Sequence, residues 1–209
     1  MPITLALFLA APLAAQAPTT RSAPARETAV VSGGCFWGIQ AVFEHLKGVV
    51  QATSGYAGGI ERTAQYETVS TGTTGHAESV KVIFDPSVVS YATLLRVFLT
   101  VAHDPTELNR QGPDEGTQYR SAIWYVGEEQ HRIAQAMIDS LTRSRTWPAP
   151  IVTQVAPLTG FFPAEAYHQD YALHHPMDPY IFINDRPKVS HLRDRYPDLF
   201  AEEPVRYSH

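Results

Sequence analysis

Residues 28–48 read TAVVSGGCFWGIQAVFEHLKG, and the fold is decided in this stretch. The short apolar run at 28–32 predicts a strand, and Gly33-Gly34 allows a tight turn. Phe36, Ile39, Phe43 and Leu46 then recur at helical spacing until Gly48 stops them. A strand, a glycine turn and a helix follow one another, with Cys35 in the helix's first turn. Further along, Val80, Val82 and Phe84 alternate with Ser79, Lys81 and Ile83 before Asp85-Pro86, predicting a strand ended by a turn. Residues 90–102 set Leu94, Leu95, Phe98 and Leu99 on one helical face. A strand at 119–126, an amphipathic helix at 128–141, a strand at 151–156 and a short helix at 163–174 complete the series. Strands alternating with helices imply an α/β or α+β sandwich, and no internal repeat interrupts it.

The chain has 209 residues, enough for one domain with appendages. It is 44% hydrophobic and 18% charged, which excludes a disordered chain and a multi-span membrane protein. Its net charge is −5 with no basic run, so nucleic acid is not an expected partner. Residues 3–17, ITLALFLAAPLAAQA, are an uncharged apolar stretch ending in Ala15-Gln16-Ala17, and 1–17 reads as a secretory signal peptide. It is shorter than the roughly 20 residues needed to span a bilayer, so no stable membrane insertion is expected once it is removed. The expected location is therefore secreted or periplasmic, with the cytoplasm as the alternative. Residues 18–28, rich in Pro, Ala and Thr, read as a flexible linker. The folded domain is expected over 29–187, and 188–209 reads as a polar tail anchored by Leu192, Tyr196, Leu199 and Phe200.

Cys35 is the chain's single cysteine, so no intramolecular disulfide is available. A thiol at a helix N-terminus feels unpaired backbone N–H groups and a partial positive charge, both favouring the thiolate, so Cys35 is expected to be activated. Phe36 and Trp37 set two aromatic faces beside it, enough for an apolar recess the size of a methyl or thioether group. The nine histidines include no HExxH or other spaced ligand set, and no metal is expected.

The string GGCFWG at 33–38 resembles the active-site motif of the A-type peptide methionine sulfoxide reductases. The resemblance continues in order through GYAGG at 55–59, TGHAE at 74–78, FDPSVVSY at 84–91, HDPT at 103–106, QGPDEGTQYRS at 111–121 and FFPAEAYHQDY at 161–171. It covers about two thirds of the chain, and several ordered blocks are far more specific than one motif. The resemblance implies a two-layer α/β (α+β) sandwich, a mixed sheet with a ferredoxin-like core. By position it implies Cys35 as the nucleophile and Glu78 as the acid that protonates the sulfoxide oxygen. It further implies Phe36 and Trp37 as the wall for the substrate methyl group, and Tyr66, Asp114 and Tyr119 as the polar surround of the oxygen. The implied reaction is thiol-dependent reduction of methionine (S)-sulfoxide, in oxidised proteins and peptides or free, with no bound cofactor.

The chemistry requires the same residue types. A sulfoxide is polarised S⁺–O⁻, so its reduction needs a soft nucleophile at sulfur and a proton donor at oxygen. Glu78 can donate near neutrality only if burial beside the aromatics raises its proton affinity. Many relatives carry further cysteines that resolve the resulting sulfenic acid; here Ser70 stands where some have one, and no cysteine follows Tyr171. An external thiol is therefore expected: a thioredoxin-like or glutaredoxin-like protein, or a small thiol. A monomer is expected by default. Two other classes remain at this stage. One is a cysteine hydrolase or acyltransferase using His76 or His168 as base, and the other a non-catalytic binding domain with Cys35 buried.

Overall fold

In the computed structural model, which describes residues 25–208, the elements run in chain order. They are β1 (Glu27–Ser32), α1 (Phe36–Glu44), β2 (Val49–Ala57), α2 (Tyr66–Val69), β3 (Ala77–Phe84), α3 (Tyr91–Val97), β4 (Arg110–Gln111), β5 (Asp114–Glu115), β6 (Ala122–Tyr125), α4 (Gly127–Arg143), β7 (Gln154–Pro157), β8 (Phe161–Pro163), α5 (Tyr171–His174) and α6 (Arg186–Arg195). Six strands form one sheet in the order β7-β6-β1-β3-β2-β8, while β4 and β5 make a small separate hairpin. Within the large sheet every pairing is antiparallel except β6 with β7, so the sheet is mixed. The inner order β6-β1-β3-β2, threaded β1-α1-β2-β3-helix-β6, is the ferredoxin-like arrangement expected.

The alternation in the strands sorts side chains between two faces. Ala29 and Val31 of β1, with Val80, Val82 and Phe84 of β3, point into the main core against Ile39 and Phe43 of α1, Leu94 and Leu95 of α3, and Met137 and Leu141 of α4. Val30, Ala57, Ala77, Ala122 and Trp124 form a smaller cluster on the other face, covered by Ala156, Leu158 and Phe161. Helices thus cover one side of the sheet, in two layers.

Several boundaries differ from the sequence expectation, each for a tertiary reason. The expected strand at 119–126 shortens to β6, because Thr117–Tyr119 is a turn of 3-10 helix. The expected helix at 163–174 is broken into a 3-10 turn, Ala166–His168, and α5. Asp170 breaks it by adopting φ +52, where its N–H donates to Gln40 Oε1 and its carboxylate accepts from the Tyr207 N–H. β2 carries no alternation to detect, since Ala52 to Ala57 are all buried between β3 and β8.

The linker expected over 18–28 gives way to β1 at Glu27, and the boundary expected at 187 falls inside α6. Beyond it, Leu192 is fully buried and Phe200 is 5% exposed, because residues 188–208 pack across α1 and belong to the same core. The expected signal peptide and most of the linker lie outside the described residues. No helix among those described is long and apolar enough to cross a membrane.

Candidate active site

Cys35 sits between β1 and α1, at the N-cap position of the helix rather than within its first turn. Gly34 makes the approach possible: it takes φ +95, and a Cβ there would lie 2.6 Å from the Gln111 side chain. The sulfur opens into a pocket of about 210 Å³ lined by Cys35, Phe36, Trp37, Tyr66, Glu78, Asp114, Tyr119 and Tyr180. All seven residues singled out from the sequence are brought together there, from five separate segments.

Glu78 lies inside β3, paired across the sheet with Tyr56 of β2, and is 3% exposed. Its Oε2 accepts the Phe36 backbone N–H at 3.0 Å, one of the unpaired donors at the start of α1. That bond favours the carboxylate, but burial outweighs it and Asp114 and Asp185 add to burial, so the carboxyl is pushed up to about 8. Glu78 therefore holds its proton at neutral pH.

Cys35 departs from the expectation of an activated thiolate. Burial pushes the thiol well above its ordinary range, and the Glu78 and Asp185 carboxyls reinforce it. The Trp37 backbone N–H and the Lys188 ammonium act in the opposite direction without prevailing. The helix terminus is real, but two acidic groups distant in sequence and a dry surround outweigh it, so the resting site holds Cys35 as a thiol.

The aromatic wall is braced from outside. Trp37 stacks on Tyr171 of α5, with centroids 3.9 Å apart and planes within 11°, and meets Tyr180 edge-on at 6.0 Å. Tyr66 opens α2, where its N–H donates to Glu165 Oε1 at 2.9 Å. The same Glu165 accepts from the Tyr56 hydroxyl at 2.8 Å, tying α2 to the sheet. Asp114, in the β4–β5 hairpin, accepts a hydrogen bond from the Tyr180 hydroxyl. Burial raises the proton affinity of Tyr66, Tyr119 and Tyr180, which stay neutral hydrogen-bonding phenols, and pushes the Asp114 carboxyl above its usual range while the Tyr180 hydroxyl and the Lys188 ammonium pull it back.

Tyr180 is the pocket residue that sequence reasoning missed. It follows the last recognisable block, in HHPMDPYIF, and its one signal is an aromatic-aliphatic pair behind a proline in an otherwise polar stretch.

The two histidines weighed as bases do not line the pocket. His76 Nε2 pairs with the Ile60 carbonyl at 3.0 Å, and His168 Nδ1 accepts the Trp37 indole N–H at 3.2 Å. Among the described residues neither is hydrogen-bonded to Cys35, so the hydrolase arrangement of thiol paired with imidazole is not formed. Among the described residues no group of three His, Cys, Asp or Glu side chains is placed to hold a metal ion.

A buried thiol and a protonated carboxyl sharing an aromatic-walled pocket on an α+β sheet define a thiol-dependent oxidoreductase, in which the carboxyl can serve an oxygen atom and the rings a small apolar group. Comparison with known proteins agrees. A model of the peptide methionine sulfoxide reductase family matches residues 27–199, and the chain belongs to that family. It is 54% identical over 185 residues to peptide methionine sulfoxide reductase MsrA 2 of Mesorhizobium japonicum, covering 88% of this chain and 95% of that one. With the Thermus thermophilus peptide methionine sulfoxide reductase MsrA it shares 49% over 173 residues, 83% of this chain and 97% of the relative. Among solved structures, methionine sulfoxide reductase A of Corynebacterium diphtheriae superposes with a TM-score of 0.65 at 36% identity, over 77% of this chain and 80% of that one. Reduced Mxr1 of Saccharomyces cerevisiae gives 0.69 at 31% identity, over 73% and 87%. The activity is the thiol-dependent reduction of methionine sulfoxide to methionine.

Proposed function

We propose that Cys35 attacks the sulfur of methionine (S)-sulfoxide while Glu78 hands its proton to the oxygen. The observation that carries this reading is the single pocket that gathers Cys35, Glu78 and the aromatic wall. Phe36 and Trp37, with Tyr180 alongside, receive the methyl group. The Tyr66 and Tyr119 hydroxyls, with Asp114 beside them, surround the oxygen, and the hydroxyls add hydrogen bonds without adding charge. With methyl and oxygen assigned to different walls, only one epimer presents its sulfur to the thiol.

The net step is Cys35–SH plus R–S(O)–CH₃ giving Cys35–S–OH plus R–S–CH₃. Two electrons pass from the cysteine sulfur to the substrate, the S–O bond is exchanged between the two sulfurs, and the proton leaving Cys35 restores Glu78. Keeping both groups protonated at rest stores the proton the oxygen needs. Because the 209 residues carry no second cysteine, the sulfenic acid is met by an external thiol, thioredoxin-like, glutaredoxin-like or small. A first thiol displaces water to form a mixed disulfide at Cys35, and a second thiol releases the enzyme. The apolar stretch at 3–17 supports delivery outside the cytoplasm.

The test uses separated S and R epimers of a methionine sulfoxide peptide with dithiothreitol, for the wild type and for Cys35→Ser. The expected result is consumption of the S epimer alone, none by Cys35→Ser, and a mass spectrum of substrate-oxidised protein showing a thiol adduct on Cys35. Consumption of both epimers at equal rates would reject the wall assignment, and absence of any adduct with every thiol tried would reject external resolution.

A further inference from the structure

Against the first turn of α1 lies an ion pair that the chemistry above leaves unused. Asp185 ends a π-helical turn, Ile181–Asp185, and is 1% exposed, while Lys188 stands half-buried in the first turn of α6. Asp185 Oδ1 accepts from the Lys188 Nζ at 2.9 Å, and Oδ2 is buried without a partner. The pair touches the helix at Gly38, where a Cβ would fall 2.1 Å from that Oδ1 and 2.8 Å from that Nζ. Gly38 follows Cys35 by three residues, so the cysteine and the pair share one side of that turn. Lys188 also lines a cavity of about 140 Å³ that adjoins the reaction pocket through two shared walls, Asp114 and Tyr180.

We propose that Asp185 and Lys188 are a positioning pair of the reductase: they set the charge beside the nucleophile, the carboxylate opposing negative charge on its sulfur and the ammonium tempering that opposition. The proposal rests on the reading of Cys35 as the nucleophile. Each half of a close ion pair cancels most of the other's field, so removing one half exposes the sulfur to the whole field of the other. Asp185 has no second hydrogen-bond partner among the described residues to take over from Lys188.

Burial comes first in holding Cys35 as a thiol; Glu78 of β3 and Asp185 reinforce it, and Lys188 works against it. The other titratable groups around the sulfur are the Tyr66, Tyr119, Tyr171 and Tyr180 phenols, all raised and hence neutral. Asp114, bonded to the Tyr180 hydroxyl, acts on Glu78 and Asp185, and Asp178 acts on Asp185. Lys188 is thus the one cation in this set, and it is placed on the carboxylate rather than on the sulfur. With no second cysteine in the chain to trap a sulfenic acid, a sulfur kept as a thiol until substrate arrives is slow to react with stray oxidants.

The test follows iodoacetamide alkylation of the single cysteine across pH in the full chain, for the wild type, Asp185→Asn, Lys188→Met and the double variant. Asp185→Asn leaves the ammonium alone and is expected to move the alkylation midpoint to lower pH, raising the rate at pH 8 roughly tenfold or more. Lys188→Met leaves the carboxylate alone, ionised at the alkaline pH where the sulfur titrates, and is expected to move the midpoint up. The double variant, with neither charge, should fall between the two. With the S-epimer peptide and dithiothreitol, the alkaline fall of kcat/KM should begin at lower pH in Asp185→Asn, because Asp185 also helps Glu78 hold its proton. Lost packing would move both single variants the same way, so shifts of one sign, or no shift, would overturn the proposal. If one single variant does not fold, the other measured against the double decides the matter. Alkylation needs no sulfoxide: sulfoxide reduction without the opposed shifts removes only the role of the pair, whereas opposed shifts in a chain that reduces no sulfoxide remove the reading of Cys35 as its nucleophile.

Discussion

The proton on Glu78 is contested by two effects of known direction. The Phe36 N–H at 3.0 Å favours the carboxylate, and near-complete burial opposes it; burial prevails and holds the carboxyl at about 8. The donor is the protonated form, present below that value, so activity should fall as pH rises through about 8. Glu78→Gln removes a general acid, expected to lower kcat by roughly 100-fold or more, and should also abolish the alkaline fall. The same shift bears on stability. Between the ordinary carboxyl value of 4.5 and about 8, the folded chain keeps a proton that the unfolded chain has released, so folding loses stability as pH rises across that window. Glu78→Gln should therefore be more resistant to urea than the wild type at pH 8.5, with the difference shrinking towards pH 4.5. An equal difference at both pH values would reject the linkage. At this scale the sequence was legible only through motif order. A glutamate beginning a strand is ordinarily solvated, and the state of Cys35 does not follow from its helix terminus because burial opposes its ionisation, reinforced by Glu78 and Asp185, which lie 43 and 150 positions away.

Elements meet where small residues let them. Gly38, in the first turn of α1, lies against the pair of buried Asp185 and half-buried Lys188, whose Oδ1 and Nζ are 2.9 Å apart at the start of α6. A Cβ on Gly38 would fall 2.1 Å from that Oδ1 and 2.8 Å from that Nζ. Helix propensity alone predicts that Gly38→Ala stabilises by about 1 kcal/mol. Overpacking costs about 1–3 kcal/mol, and displacing a buried ion pair adds to it, so the clash should win. Gly38→Ala is expected to lower the urea midpoint, and a midpoint raised above wild type would show that α6 yields without cost. The glycine turn and α1 were legible because their signals are local. The register of α6 against Gly38 was not, since nothing in residues 185–188 marks them as the floor of a helix 150 positions earlier. Nor was the break at Asp170 visible, because it depends on Gln40 and Tyr207, neither of which is a local neighbour.

Across the whole molecule, the last segment closes the fold over α1. Leu192 and Phe200 are buried, the Lys47 N–H donates to the Leu199 carbonyl at 2.8 Å, and the Ala201 N–H donates to the His45 carbonyl at 2.7 Å. Burying two such side chains contributes about 1.5–3 kcal/mol each, a large part of the 5–15 kcal/mol that separates a typical folded domain from its unfolded state. A chain ended at residue 187 would also lose Lys188 and leave the Asp185 carboxylate buried without its cation, a further cost of several kcal/mol. Truncation there is therefore expected to abolish the cooperative urea transition, whereas truncation after Ala201 keeps Leu192, Phe200 and the ion pair and should retain it. A cooperative transition near the full-length midpoint in the shorter chain would show that the segment is only an attachment. The polar composition of residues 188–209 hid this role: a segment wrapped on the surface of a core needs only two or three apolar anchors, and its remaining side chains face water as those of a loose tail would.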